Sequence, residues 1–224
     1  MIKILFIGNS FTYFNDMPSA IFARVAERCG IELEVVSVTK GGWSLSKYAD
    51  AEDEYGAKVH SLLKSEKFDF VVLQEQSHTP ISDKASFHSA VRRLCELICE
   101  NGAKPYLYAT WGYAKEHPKL PLYGPCTGDM ERKLRLSYAE IAEELSIPVC
   151  QVGCAMTYAY ENGMECLYKP DHYHPDVCAS LIAALVIFEK IFGIEVDAEG
   201  VLPESLSERD VALLNAAVSY AKKE

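Results

Sequence analysis

Apolar and polar residues alternate along this chain in two rhythms, and the rhythms take turns. Short, nearly uninterrupted apolar runs are each followed by a segment in which apolar residues return every three or four positions. The first run, Ile2 to Gly8, predicts a parallel strand buried on both faces. Met17 to Cys29 then has helical spacing, with Ile21, Val25 and Ala26 on one face. Glu32 to Val38 reads as a second strand, Tyr55 to Ser65 as a short helix, and Phe68 to Leu73 as a third strand. Asp83 is placed to cap a helix whose Phe87, Val91, Leu94 and Ile98 share a face, and Asn101-Gly102 stops it. Pro105 to Thr110 is the fourth strand, Asp129 to Leu145 a helix, and Ile147 to Val152 the fifth strand, with a connecting helix after it. Pro175 to Phe192 is a helix with proline in its first turn, and Ser207 to Lys222 packs outside as one more.

Five strands alternating with helices predict one doubly wound domain over residues 1–224, a three-layer α/β/α sandwich around a five-stranded parallel sheet. Ligands in such folds sit beyond the carboxyl ends of the strands, where the strand order switches. One stretch follows neither rhythm. Trp111 to Gly128 holds three prolines and three glycines, and a loop of that length is expected to act as a lid or binding loop over the site.

Composition narrows the partners. A formal net charge of −10 speaks against a general affinity for nucleic acid or an anionic membrane surface, both of which want basic patches. No apolar run reaches the roughly 18–20 residues of a membrane helix. Met1-Ile2-Lys3 leads into an apolar segment too short for a secretory signal. The expectation is a cytoplasmic protein with a small-molecule partner and neither a nucleic-acid nor a membrane partner. The eight cysteines include no CxxC pair. Cys29, Cys95, Cys99 and Cys178 lie in apolar helical patterns, and the set reads as buried, reduced thiols.

Two short motifs carry chemistry. Strand one empties into Gly8-Asn9-Ser10-Phe11-Thr12, which puts Ser10 at the carboxyl edge of the sheet, beside the first N–H groups of a helix. Ser10 or Thr12 would serve there equally well as a plain helix cap. A phosphate-binding loop would want a P-loop lysine or a GxGxxG pattern, and neither is present. Near the other end stands Lys169-Pro170-Asp171-His172-Tyr173-His174-Pro175. Asp171 and His174 are three positions apart, close enough in a tight turn for carboxylate to meet imidazole, and a serine nucleophile needs such a base. The same loop offers a His-x-His pair of the kind that binds metal.

A first-strand G-[DN]-S-[FLIV] and a late D-x-x-H-P, in that order, resemble the outer two blocks of the SGNH (GDSL-like) hydrolase superfamily. Leu5 to Thr12, Gly41 to Leu45 and Leu73 to Ser77 are similar to a bacterial branch of it. The resemblance implies a flavodoxin-like fold over the whole chain and a hydrolase that requires no cofactor. It also implies Ser10 as nucleophile, His174 as general base and Asp171 as the carboxylate that orients it. Asn9 stands where aspartate is more frequent.

The two inner blocks depart from the common pattern. The second supplies a glycine N–H to the oxyanion hole; Gly41 and Gly42 both lie there, and Gly42 is favoured. The third is normally G-x-N-D, whereas Gln74-Glu75-Gln76-Ser77 resembles the Q-G-E-S segment of acetylesterases related to sialate O-acetylesterases. That match points to Gln74 as the side-chain donor, with Gln76 in reserve and simple strand pairing as the plainer role for Gln74. The expected activity is a serine esterase, most specifically a deacetylase of an O-acylated small molecule or carbohydrate. Trp43, Trp111, Tyr113 and Tyr123 are candidates to line its cleft, with core or rim packing as their plainer role; His78, His88 and His117 show no partner in sequence. Two other readings compete: a ligand-binding protein on the same fold, and a metal-dependent protein using His172, His174 and cysteines.

Overall fold

In the computed structural model, which describes residues 1–202 and 206–223, five strands form one parallel sheet in the order β2-β1-β3-β4-β5. They are β1 (Ile2–Gly8), β2 (Leu33–Thr39), β3 (Phe70–Gln74), β4 (Lys104–Tyr108) and β5 (Val149–Cys150). Between them run α1 (Ser10–Tyr13) and α2 (Ala23–Arg28) after β1, α3 (Leu45–Ala49) and α4 (Glu54–Ser65) after β2, α5 (Thr79–Ser82) and α6 (Lys84–Asn101) after β3, and α7 (Thr127–Leu145) after β4. The chain beyond β5 holds α8 (Val152–Glu161), α9 (Val177–Phe192) and α10 (Glu208–Ala221). This is the predicted three-layer fold with flavodoxin-like strand order. Its switch point lies at β1, which is paired with β2 on one side and β3 on the other.

The first apolar run is continuous because both faces of β1 are covered. Ile4 and Phe6 belong to the apolar layer built with α2, α8, α9 and α10, while Leu5 and Ile7 belong to the one built with α3, α4, α6 and α7; all four are fully buried. Helix α9 is enclosed on every side, with each residue from Cys178 to Glu189 buried, which explains why its sequence shows so little polar relief. Among the described residues no helix is long and apolar enough to cross a membrane.

Three expectations need adjustment. The fifth strand is two residues long, because the Gly153 N–H turns in to the Ala109 carbonyl at 3.0 Å and the chain enters α8 directly. The helix expected from Met17 begins as a π-helical turn, Met17–Phe22, preceded by Asn15 and Asp16 in left-handed conformation at φ 55° and 49°. The reading of all cysteines as reduced thiols is corrected by a disulfide between Cys166 and Cys178, whose Cα atoms are 5.5 Å apart. The segment after α8 folds back over the first turn of α9 as a hairpin, with the Asp176 N–H on the Leu167 carbonyl at 2.9 Å. Helical periodicity reported that Cys178 is buried and could not report what it faces.

At the amino end of the sheet, buried Asn101 does the work of a clasp. Its amide donates to the Leu63 and Glu66 carbonyls at 2.7 Å each, and its oxygen accepts the Phe68 N–H at 3.2 Å, joining the end of α4 to the approach to β3. Replacing it with alanine strands those groups. Asn101→Ala is expected to lower unfolding free energy by about 1–3 kcal/mol, read as a lower urea midpoint at unchanged slope.

Candidate active site

The turn after β1 is built around a missing side chain. A Cβ on Gly8 would stand 2.5 Å from Thr12 Oγ1 and 2.6 Å from Gln74 Oε1, so only glycine lets Gln74 lie across the end of the strand. Gln74 is fully buried and its amide ties the serine turn to β3. Its oxygen accepts the Asn9 N–H at 2.8 Å and the Thr12 hydroxyl at 2.9 Å, and its nitrogen donates to the Glu75 carbonyl. Asn9 caps α1, its side chain accepting the Phe11 N–H at 3.2 Å and donating to the Trp43 carbonyl at 3.0 Å. The capping role open to Ser10 or Thr12 in the sequence therefore falls to Asn9, and the Ser10 hydroxyl is left for another partner.

That partner comes from the far end of the chain. His174 Nε2 lies 2.9 Å from Ser10 Oγ, and His174 Nδ1 lies 2.6 Å from Asp171 Oδ2. The other Asp171 oxygen accepts the Tyr173 and His174 N–H groups at 3.3 and 3.0 Å, closing the tight turn that the three-residue spacing anticipated. Burial pushes the Asp171 carboxyl up, but the bonds from the His174 ring and the two N–H groups outweigh it and hold the carboxyl below the ordinary aspartate range.

The loop is fixed from several directions. Lys169 Nζ meets Asp176 at 2.9 Å, and Asp176 accepts the Val177 N–H at the start of α9. Asn15 donates to the Pro175 carbonyl at 3.2 Å and the Ser180 hydroxyl at 2.8 Å, which gives the left-handed break after α1 a structural use. Phe14 stacks on the His174 ring with centroids 4.6 Å apart, and Tyr173 approaches it at 4.0 Å. Sequence reasoning assigned Asn15, Phe14 and Tyr173 no role. The signal was the aromatic run Phe11-Thr12-Tyr13-Phe14 beside a serine turn, which reads as core until the loop is seen lying on it.

The second and third blocks meet beside Ser10. Lys40 to Trp43 form a turn closed by the Trp43 N–H on the Lys40 carbonyl at 3.1 Å, and Gly42 takes φ +72°, a conformation costly for any side chain. A cleft of about 330 Å³ is lined by Ser10, His174, Gly41, Gly42, Gln76 and Tyr173, with Tyr13 and Phe14 at its wall. Gln76, not Gln74, reaches this cleft. Fully buried Glu75 points back beneath it; burial outweighs the opposing pull of the Gln76 and Leu45 N–H groups and leaves its carboxyl raised to about 8.

None of the four aromatics singled out in the sequence lines this cleft. Trp111 is fully buried, stacked on Phe11 at 4.3 Å with its indole N–H on the Tyr173 carbonyl at 3.0 Å. Tyr113 meets Ser77 through its hydroxyl at 3.0 Å, Tyr123 stacks on His78, and Trp43 donates to Asp53 at 3.1 Å. The 111–128 stretch thus lies at the carboxyl end of the sheet, as expected. It buttresses the His174 loop, with the Ala114 N–H on the His172 carbonyl at 2.9 Å, rather than covering Ser10 as a lid. Among the described residues no group of three or more His, Cys, Asp and Glu side chains is placed to hold a metal ion.

No protein-family model and no curated protein sequence matches the chain. Solved structures do. A protein from Slackia heliotrinireducens assigned to the SGNH hydrolases is similar at 31% identity and a TM-score of 0.73, over 85% of this chain and 98% of that one. A DUF4886 family protein from Bacteroides uniformis is similar at 21% identity and a TM-score of 0.77, over 99% and 93%. A variant of an acetyl-xylooligosaccharide esterase from Geobacillus is similar at 16% identity and a TM-score of 0.63, over 85% and 94%. The last two likenesses speak for the fold alone. With nearly the whole of the Slackia protein matched at that identity, the chain belongs to the SGNH hydrolase superfamily.

Proposed function

We propose that this protein is a serine esterase that removes short O-acyl groups, acetyl above all, from a small molecule or carbohydrate. The observation that carries the reading is the hydrogen-bond chain from Ser10 through His174 to Asp171. His174 takes the hydroxyl proton as Ser10 Oγ attacks the ester carbonyl, and Asp171 holds the imidazole in the tautomer this needs. The tetrahedral oxyanion is received by the Ser10 and Gly42 N–H groups and a side-chain amide. His174 then passes the proton to the departing alcohol, and water releases the acyl group by the same steps in reverse roles. The reaction as written uses no cofactor.

Gln76 is the side-chain donor in this proposal, in place of Gln74. Gln74 is spent on the serine turn and does not line the cleft, whereas Gln76 does; its nitrogen donates to Ser77 Oγ at 3.3 Å and keeps a second N–H, and its oxygen accepts the Thr79 hydroxyl at 2.9 Å. The preference for a short acyl group is supported by the modest cleft and by the Tyr13, Phe14 and Tyr173 rings that bound it.

The wild-type protein is expected to hydrolyse p-nitrophenyl acetate and acetylated sugars. Ser10→Ala and His174→Ala should each cut kcat by about 10³-fold or more while circular dichroism stays unchanged. Saturable binding of acetylated sugars with no turnover in the wild type would instead favour a ligand-binding protein. In a second comparison, Gln76→Ala should lower kcat by about 100-fold with little change in KM. Gln74→Ala should lower unfolding free energy by about 1–3 kcal/mol by stranding the Asn9 N–H and the Thr12 hydroxyl. Wild-type turnover in Gln76→Ala would return the donor role to Gln74.

A further inference from the structure

Glu75 lies one residue beyond β3, wholly buried, and among the described residues no Lys, Arg or His answers its carboxylate. Its partners are peptide N–H groups. The Leu45 N–H lies 3.2 Å from each carboxylate oxygen, and the Gln76 N–H lies 2.5 Å from Oε1. Those two groups belong to different segments. Leu45 opens α3 immediately behind the Gly41-Gly42 turn, and Gln76 is the residue whose side chain lines the cleft.

Burying a carboxyl is costly, and structural cohesion alone would be served as well by a neutral side chain of the same size. What a carboxyl adds is two oxygens on one rigid plane, both within 3.2 Å of the Leu45 N–H and one of them also taking the Gln76 N–H, so that a single group can grip two chain segments at once. We propose that Glu75 is the positioning residue of the oxyanion hole, fixing the Gly41-Gly42 turn and Gln76 at the separation that a tetrahedral oxyanion requires. It acts through the Leu45 and Gln76 peptides and never touches the substrate. The inference rests on the esterase reading. Donors that stabilise the oxyanion lose most of their effect when displaced by a fraction of an ångström, and they act on the transition state more than on the bound ester.

The test compares wild type, Glu75→Gln and Glu75→Asp. The glutamine keeps size and replaces one oxygen with an NH2 donor; the aspartate keeps the carboxyl and shortens the reach. Each is measured for melting temperature, for kcat and KM on p-nitrophenyl acetate, and for the rate at which a p-nitrophenyl phosphonate ester modifies Ser10. The phosphonate builds a tetrahedral anion in the same place. Folded variants are expected to show kcat lowered about 10- to 100-fold with KM within about threefold, and phosphonylation slowed by a similar factor. A folded Glu75→Gln or Glu75→Asp with wild-type kcat overturns the proposal, even if its melting temperature falls, because that leaves Glu75 a role in stability only. A wild type silent toward both reagents overturns the esterase reading and this role with it, whereas an active wild type with unimpaired variants removes this role alone.

Discussion

The side-chain oxygen of Gln74 accepts the Asn9 N–H and the Thr12 hydroxyl at once, in a place with no exposure to solvent. Gln74 ends β3 and the two donors follow β1, so these bonds set the height of the serine turn against the neighbouring strand. Gly8 is the precondition, since any Cβ there would fill the space the amide occupies. From that fixed point the rim can be followed outward. Asn9, held by its N–H, spends its side chain on starting α1 and on the Trp43 carbonyl, which ties in the second glycine turn. Ser10 inherits its position from its neighbours and keeps its hydroxyl for His174. Buried polar groups left without partners are expensive, so a change at Gln74 is felt by every group attached to it.

Much of this was legible in the sequence because strand burial and site placement leave local marks. Ile2 to Gly8 reads as a central strand because Ile4 and Phe6 face one layer and Leu5 and Ile7 the other. The serine turn and the Asp171-to-His174 spacing are local, and the fold brings them together from 164 positions apart. What failed to show was anything settled by a distant partner. That the Gln74 oxygen serves groups 62 and 65 residues earlier is something no pattern around position 74 can express. The pairing of Cys178 was hidden in the same way behind its helical periodicity. The prolines and glycines of 111–128 correctly announced irregular backbone. They did not reveal that Trp111 would be locked between Phe11 and the Tyr173 carbonyl.

Packing and hydrogen bonding agree on where the imidazole sits. Its two nitrogens face Ser10 and Asp171, while its ring meets Phe14 and Tyr173, the latter resting among Phe11 and Tyr113. Aromatic contacts of this kind contribute about 0.5–1.5 kcal/mol apiece. The ring is thus oriented by neighbours on four sides, and the irregular stretch after β4 serves as the wall behind them.

The hairpin that presents Asp171 and His174 has little interior of its own; the Asp171 side chain is 44% exposed. Short surface loops ordinarily drift, because few apolar contacts oppose their entropy. Here the Cys166–Cys178 bond closes the base of the hairpin across a separation of 12 residues, with the Leu167 to Asp176 contact directly above it. A ring of that size loses on the order of 3 kcal/mol of its freedom before any packing occurs. This solvent-washed part of the site is thereby given covalently the order that the serine turn, at the opposite end of the chain, obtains from burial.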